Sequence, residues 1–197
     1  MTTGITPGAT LQIVPIELRH IESFGDCVGE IARERRYLAI VEPFAPEQNA
    51  LWVAANRARG NPLHVALDQD RVVGWCEIRR ETLPGREHSG VLGIGVRASF
   101  RRAGLGRRLI DAALADAWQR KFERIELWVR SPNAAAIGLY RNVGFMEEGR
   151  RRDAVRLDDG PEDEVLMALH ARARSDAARA PAITQHAADE TPRQEKP

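Results

Sequence analysis

Val96-Arg97-Ala98-Ser99-Phe100-Arg101-Arg102-Ala103-Gly104-Leu105-Gly106-Arg107-Arg108-Leu109 joins two segments of different periodicity. Before it, Val91-Leu92-Gly93-Ile94-Gly95-Val96 is a short apolar run suited to a buried strand. After it, Leu105, Leu109, Ile110, Ala113, Leu114, Ala117 and Trp118 recur at steps of four, three and one, which marks the apolar face of a helix. A strand that turns through glycines into a helix aims successive backbone N–H groups, and the positive end of the helix dipole, at one point. That is an anion site in outline. Gly104 and Gly106 allow close backbone approach to a bulky group, and Arg101, Arg102, Arg107 and Arg108 add planar donors suited to phosphate oxygens. The plainer alternative is a glycine turn beside a solvated arginine run.

Two nucleotide readings are excluded directly. The pattern GxxxxGK[ST] is absent, and although Gly93, Gly95 and Ala98 loosely follow dinucleotide-binding spacing, those glycines lie inside the strand rather than in the turn.

Outward from the turn, the elements alternate. Arg124-Ile125-Glu126-Leu127-Trp128-Val129 alternates as a strand, and a short helix follows to Val143, capped by Ser131 or Asn133 and ended by Gly144. Phe145 onward and residues 164–169 read as antiparallel strands around Asp158-Asp159-Gly160-Pro161. Upstream, residues 64–67 and 72–78 form a hairpin, and residues 82–90 a loop broken by Pro84 and Gly85. Helices are predicted over residues 21–37 and 46–59, the second with Pro46 in its first turn and Gly60 past its end. Residues 12–16 suit an edge strand because Pro15 removes a ladder donor. The order predicts an α/β fold, a mixed central sheet with helices on its faces.

Composition bounds the rest. Of 197 residues, 29 are basic and 28 acidic, a formal charge of +1 that argues against a surface built as a whole for nucleic acid or anionic membrane. No apolar run is long enough to span a bilayer, and the first residues lack the pattern of a signal peptide. Cys27 and Cys76 are far apart and form no CxxC pair, so no disulfide framework and no metal site is expected, and a reducing cytoplasm fits best. Residues 1–10 are read as a flexible N-terminus and 11–170 as one domain. Residues 171–197, with Ile183 as the one large apolar side chain, are expected to be disordered.

The spacing Arg101-x-x-Gly104-x-Gly106 after a strand, followed by Asn133, Ala136, Leu139-Tyr140 and Gly144-Phe145, resembles the GNAT superfamily of N-acetyltransferases. The resemblance covers roughly residues 11–169. It implies that the strand ending at Val96 splays from the strand ending near Val129, and that acetyl-coenzyme A lies in the gap. Leu92, Ile94 and Val96 would follow the pantetheine arm, and a backbone N–H there would polarise the thioester carbonyl. Arg101, Arg102, Gly104, Leu105, Gly106 and Arg107 would hold the pyrophosphate, mainly through backbone N–H groups, and Asn133 would touch the cofactor. Tyr140 would protonate the departing thiolate; its alternative role is a core aromatic. A proton acceptor for the amine would be His88, in register with Leu92 if the strand starts that early, or Glu77 on the preceding strand. Trp75, Trp128 and Tyr37 are candidates for the acceptor pocket or the core, and Arg33-Glu34-Arg35-Arg36 for a carboxylate-recognising cluster or a solvated helix face. Neither motif contains a cysteine, which argues against a covalent intermediate.

The function expected is acetyl transfer to a primary amine, with a small amine or amino acid slightly preferred over a protein N-terminus or lysine. A homodimer is common among relatives. The competing class is a non-catalytic module that binds or senses acyl-coenzyme A.

Overall fold

The computed structural model describes residues 11–158 and 160–171. The readings of residues 1–10 as flexible and of the tail as disordered therefore lie outside the described residues, except for Ala171.

Among the described residues, seven strands form one sheet in the order β1-β2-β3-β4-β5-β7-β6. They are β1 (Gln12–Pro15), β2 (Leu63–Asp68), β3 (Arg71–Arg80), β4 (Ser89–Val96), β5 (Arg124–Arg130), β6 (Met146–Leu157) and β7 (Gly160–His170). All neighbouring pairs are antiparallel except β4 and β5. The proline-bearing β1 is at an edge, where its missing N–H costs no central ladder bond.

Among the described residues, four α-helices cover the two faces: α1 (Ile21–Arg33), α2 (Pro46–Ala58), α3 (Leu105–Gln119) and α4 (Ala134–Val143). Leu105, Leu109, Ile110, Ala113 and Leu114 of α3 join Tyr140 of α4 and Cys76, Ile78, Leu92, Ile125, Leu127 and Val129 of the sheet in one apolar core. On the opposite face, Phe24, Val28 and Ile31 of α1 and Val53 of α2 pack with Leu63, Val65 and Trp75. Strand β3 feeds both cores because alternate side chains point to opposite faces.

Helix α1 stops four residues earlier than its charge and apolar pattern predicts. Its chain reverses at Arg35, whose φ of +50° is left-handed and cannot continue a helix. The β6–β7 hairpin is longer than expected because β7 starts at Gly160, at φ +97°, not at Glu164.

The sheet opens between β4 and β5. Their parallel register contains Ser89 with Arg124, Gly90 with Ile125 and Val91 with Glu126, and goes no further. From Leu92 to Val96, β4 stays paired on its β3 side alone, while β5 continues on β7 from Leu127 to Arg130. The splay implied by the resemblance is therefore a register that ends after three residue pairs.

Candidate functional site

At the end of β4 the backbone enters the glycine turn. Gly104 has φ +77°, and a Cβ there would meet nothing within 4 Å among the described residues, so glycine serves backbone conformation and leaves open space outside the turn. A Cβ on Gly106 would stand 3.2 Å from Leu139 Cδ2, so this glycine is needed for the approach of α3 to α4. The first intrahelical bond runs from Arg108 N–H to Gly104 O, which leaves the N–H groups of Leu105, Gly106 and Arg107 without an intrahelical acceptor. These donors, beside an unobstructed turn, fit a diphosphate.

The arginines there divide. Arg107 reaches Asp111 Oδ2 at 2.8 Å and Asn142 O at 3.0 Å, and Arg108 reaches Leu11 O at 3.0 Å. Arg101 donates to Glu34 and to Val96 O. Among the described residues Arg102, exposed and at φ +61°, is the one of the four with no ion pair or side-chain hydrogen bond. The side chains of Arg101, Arg107 and Arg108 are thus engaged within the protein, and that of Arg102, among the described residues, is not. Leu105 is buried in the core and offers the turn only its backbone.

Glu77 stands opposite Gly93 in the β3–β4 register, two residues beyond Val91, the last β4 residue paired with β5. Its Oε1 would lie 2.8 Å from a Cβ on Gly93, so the carboxylate rests on the bare glycine of the unpaired β4 segment. Gly95 likewise makes room for Trp75, whose indole Nε1 has no partner among the described residues. Gly93 and Gly95 are therefore seats for β3 side chains. Glu77 is buried, its Oε2 has no partner among the described residues, and burial pushes its carboxyl up to about 7 against the weaker opposing effect of Arg79, 3.4 Å away. A groove of about 460 Å³ lined by Trp52, Arg59, Arg79 and Val91 opens on this face.

His88 is not brought to the gap. β4 begins at Ser89, so His88 lies outside the strand, exposed at the paired end, where its carbonyl accepts from Glu123 and Arg124. The register with Leu92 expected for it fails because the pairing with β5 starts one residue later.

Leu92, Ile94 and Val96 face the core under α3, where Tyr140 is buried edge-to-face with Phe145 at 5.9 Å. Burial holds the Tyr140 phenol far above its ordinary value, so it stays protonated through the neutral range and keeps a hydroxyl hydrogen to offer in a hydrogen bond. Asn133 caps α4, its side chain accepting from Ala136 N–H at 3.2 Å. Cys76, fully buried, has its thiol raised well above the usual range and is no nucleophile. Trp75 is core, Trp128 is exposed beneath Arg151, and Tyr37 lies under Arg101. Sequence reasoning missed Arg79 as the charge beside Glu77, although its i+2 spacing on one strand face could have indicated it.

The model of the Acetyltransferase (GNAT) family matches residues 28–145. Ribosomal protein bS18 alanine N-acetyltransferase of Escherichia coli K12 is 37% identical over 83 residues, 42% of this chain and 56% of that protein. The chain thus spans little more than half the length of that curated relative. The N-alpha-acetyltransferase daf-31 of Caenorhabditis elegans is 35% identical over 85 residues, 41% of this chain and 46% of that one. Among solved structures, the ribosomal-protein-alanine N-acetyltransferase of Brucella melitensis superposes with a TM-score of 0.77 at 22% identity, covering 81% of this chain and 99% of that one. A Salmonella typhimurium acetyltransferase solved with acetyl-CoA has a TM-score of 0.78 at 17% identity, covering 82% and 94%. Both share the fold.

Proposed function

This chain belongs to the acetyltransferase (GNAT) family, and from that premise we propose that it transfers the acetyl group of acetyl-coenzyme A to a free α-amine by direct attack. The observation that carries the reading is Glu77, a buried carboxyl over the unpaired stretch of β4, with a pKa of about 7 and an oxygen that has no partner among the described residues. A base is most effective when its pKa lies near that of the acid it relieves and near working pH. An α-ammonium of pKa about 7.7–8.0 meets that condition, whereas a lysine at about 10.4 does not. The names of the relatives above, which act on alanine or α-amines, support the same acceptor and move the preference away from a small amine.

When bound, acetyl-coenzyme A supplies the activated thioester. The N–H groups of Leu105, Gly106 and Arg107, with Arg102, hold its diphosphate, and Asn133 contacts it. Leu92 to Val96 line the arm with one unpaired strand edge. Glu77 takes the proton that the amine loses as the nitrogen bonds to the acetyl carbon. Tyr140 donates a hydrogen bond from its hydroxyl to the sulfur as the carbon–sulfur bond breaks, and coenzyme A leaves as a thiolate that takes its proton from water while Glu77 returns its own to solvent.

Free-thiol release from acetyl-coenzyme A with three acceptor sets tests this: peptides with N-terminal alanine, N-blocked peptides carrying lysine, and small amines. Turnover is expected with the first. Binding without turnover of any acceptor would point to the non-catalytic alternative.

Two further outcomes follow from the geometry. Tyr140→Phe keeps the ring packing and removes the donor, so kcat should fall about 10–100-fold with little change in melting temperature. Steady-state kinetics and thermal unfolding check the pair of readouts. Arg79 lowers the Glu77 pKa, so Arg79→Ala should move the acid limb of the kcat/KM profile to higher pH; an unmoved limb would remove Glu77 as its source.

A further inference from the structure

Arg101 occupies the first position of the glycine-turn pattern, yet its guanidinium is fully directed elsewhere. Nη1 and Nη2 donate to Glu34 Oε2 and Oε1 at 2.7 and 2.6 Å, a fork-to-carboxylate pair whose two side chains are about a quarter exposed. Nε donates to Val96 O, the last residue of β4, at 2.7 Å. Its Cζ lies 4.5 Å from the centre of the Tyr37 ring. Moving this group onto a phosphate would break two charge-assisted hydrogen bonds, a strand-end hydrogen bond and a stacking contact together.

The segment it grips continues across the open end of the gap. Arg35, the neighbour of Glu34, points the other way and forks onto Asp158, with Nε and Nη2 both at 2.6 Å from the carboxylate oxygens. Asp158 follows β6 at the end of the long hairpin that flanks β5. Two adjacent residues thus tie one segment to opposite banks of the splay, Glu34 to the turn after β4 and Arg35 to the hairpin beside β5. The left-handed backbone at Arg35 is what lets neighbours face apart.

We propose that Arg101 is a positioning residue rather than a diphosphate ligand: it fastens the Glu34–Tyr37 strap to the cofactor turn, and through the strap it sets acceptor binding. The proposal rests on the acetyltransferase reading and deepens it, because it makes the acceptor side depend on a residue of the cofactor pattern.

The test compares wild type, Arg101→Met, Glu34→Gln and the double variant. Calorimetry reads acetyl-coenzyme A affinity, kinetics with an alanine-terminated peptide separate KM from kcat, and limited trypsin digestion of the ligand-free protein reads cleavage after Arg35 or Arg36. Each single variant is expected to raise acceptor KM by roughly tenfold, the effect of one partly buried bidentate pair, with acetyl-coenzyme A affinity and kcat within about twofold. Trypsin should cut the strap faster in both. The double variant should be no worse than the more severe single, since both remove one interaction. A loss of tenfold or more in acetyl-coenzyme A affinity in Arg101→Met, absent from Glu34→Gln, would overturn the proposal and return Arg101 to the diphosphate. Additive effects would overturn it as well. Wild type that binds no acetyl-coenzyme A would overturn the acetyltransferase reading first, and this proposal with it.

Discussion

Glu77→Gln is expected to cost about 10²–10³-fold in kcat/KM and, in the same protein, to raise stability above neutral pH. The loss follows from the removal of the proton acceptor with the side-chain shape kept. Wild-type kcat/KM should rise through pH 7, where Glu77 sheds its proton, and the variant should retain only the limb set by the amine itself. The gain follows from linkage. The folded-state pKa is raised from 4.5 to about 7 by burial, so below 4.5 both folded and unfolded chains hold the proton and the group is neutral in the balance. Between these values the folded state holds a proton that the unfolded state has lost, and stability declines as pH rises. Above about 7 the carboxylate is buried and charged, at a cost of about 3 kcal/mol, which glutamine does not carry. Urea unfolding at pH 5 and pH 8 should therefore show the variant pulling ahead at the higher pH. A wild-type stability that is flat over this interval, or a variant that keeps its rate, would remove Glu77 from the role.

That a residue is best kept against its stability cost agrees with where sequence reading succeeded and where it stopped. Helix α3 was legible from its apolar steps and α4 from Asn133 and Gly144, since periodicity and caps are local properties. The edge position of β1 followed from Pro15 alone. The splay was not legible in any segment, because it depends on where pairing between β4 and β5 ends, and only the resemblance implied it. His88 was misplaced by the same ignorance at the other end, where β4 starts at Ser89. Arg101 and Glu34 are 67 residues apart, and Arg35 and Asp158 are 123 apart, so the strap exists only once the chain has folded. Glu77 was visible as a candidate, but its pKa is a product of burial that no local pattern carries.

Gly104→Glu should weaken acetyl-coenzyme A binding by more than about 100-fold while leaving the protein folded. The two halves of this expectation have separate causes. A Cβ at Gly104 meets no atom within 4 Å among the described residues, so the fold resists a side chain there only through the left-handed φ of +77°, a cost of about 1–2 kcal/mol. The same open space is where the free N–H groups of Leu105, Gly106 and Arg107 converge, and a carboxylate placed in it both fills the site and repels a diphosphate. Gly104→Asn separates the terms, because asparagine tolerates the left-handed region and suits a helix N-cap, so it should recover the stability and only part of the affinity. Gly106 answers differently despite its place in the same pattern. Its Cβ would press on Leu139 at 3.2 Å, so Gly106→Val should lower the melting temperature by disturbing the α3–α4 contact before any ligand is added. Calorimetry and thermal unfolding on the three variants distinguish a glycine kept for a ligand from one kept for packing. Gly104→Glu with wild-type affinity would place the diphosphate elsewhere.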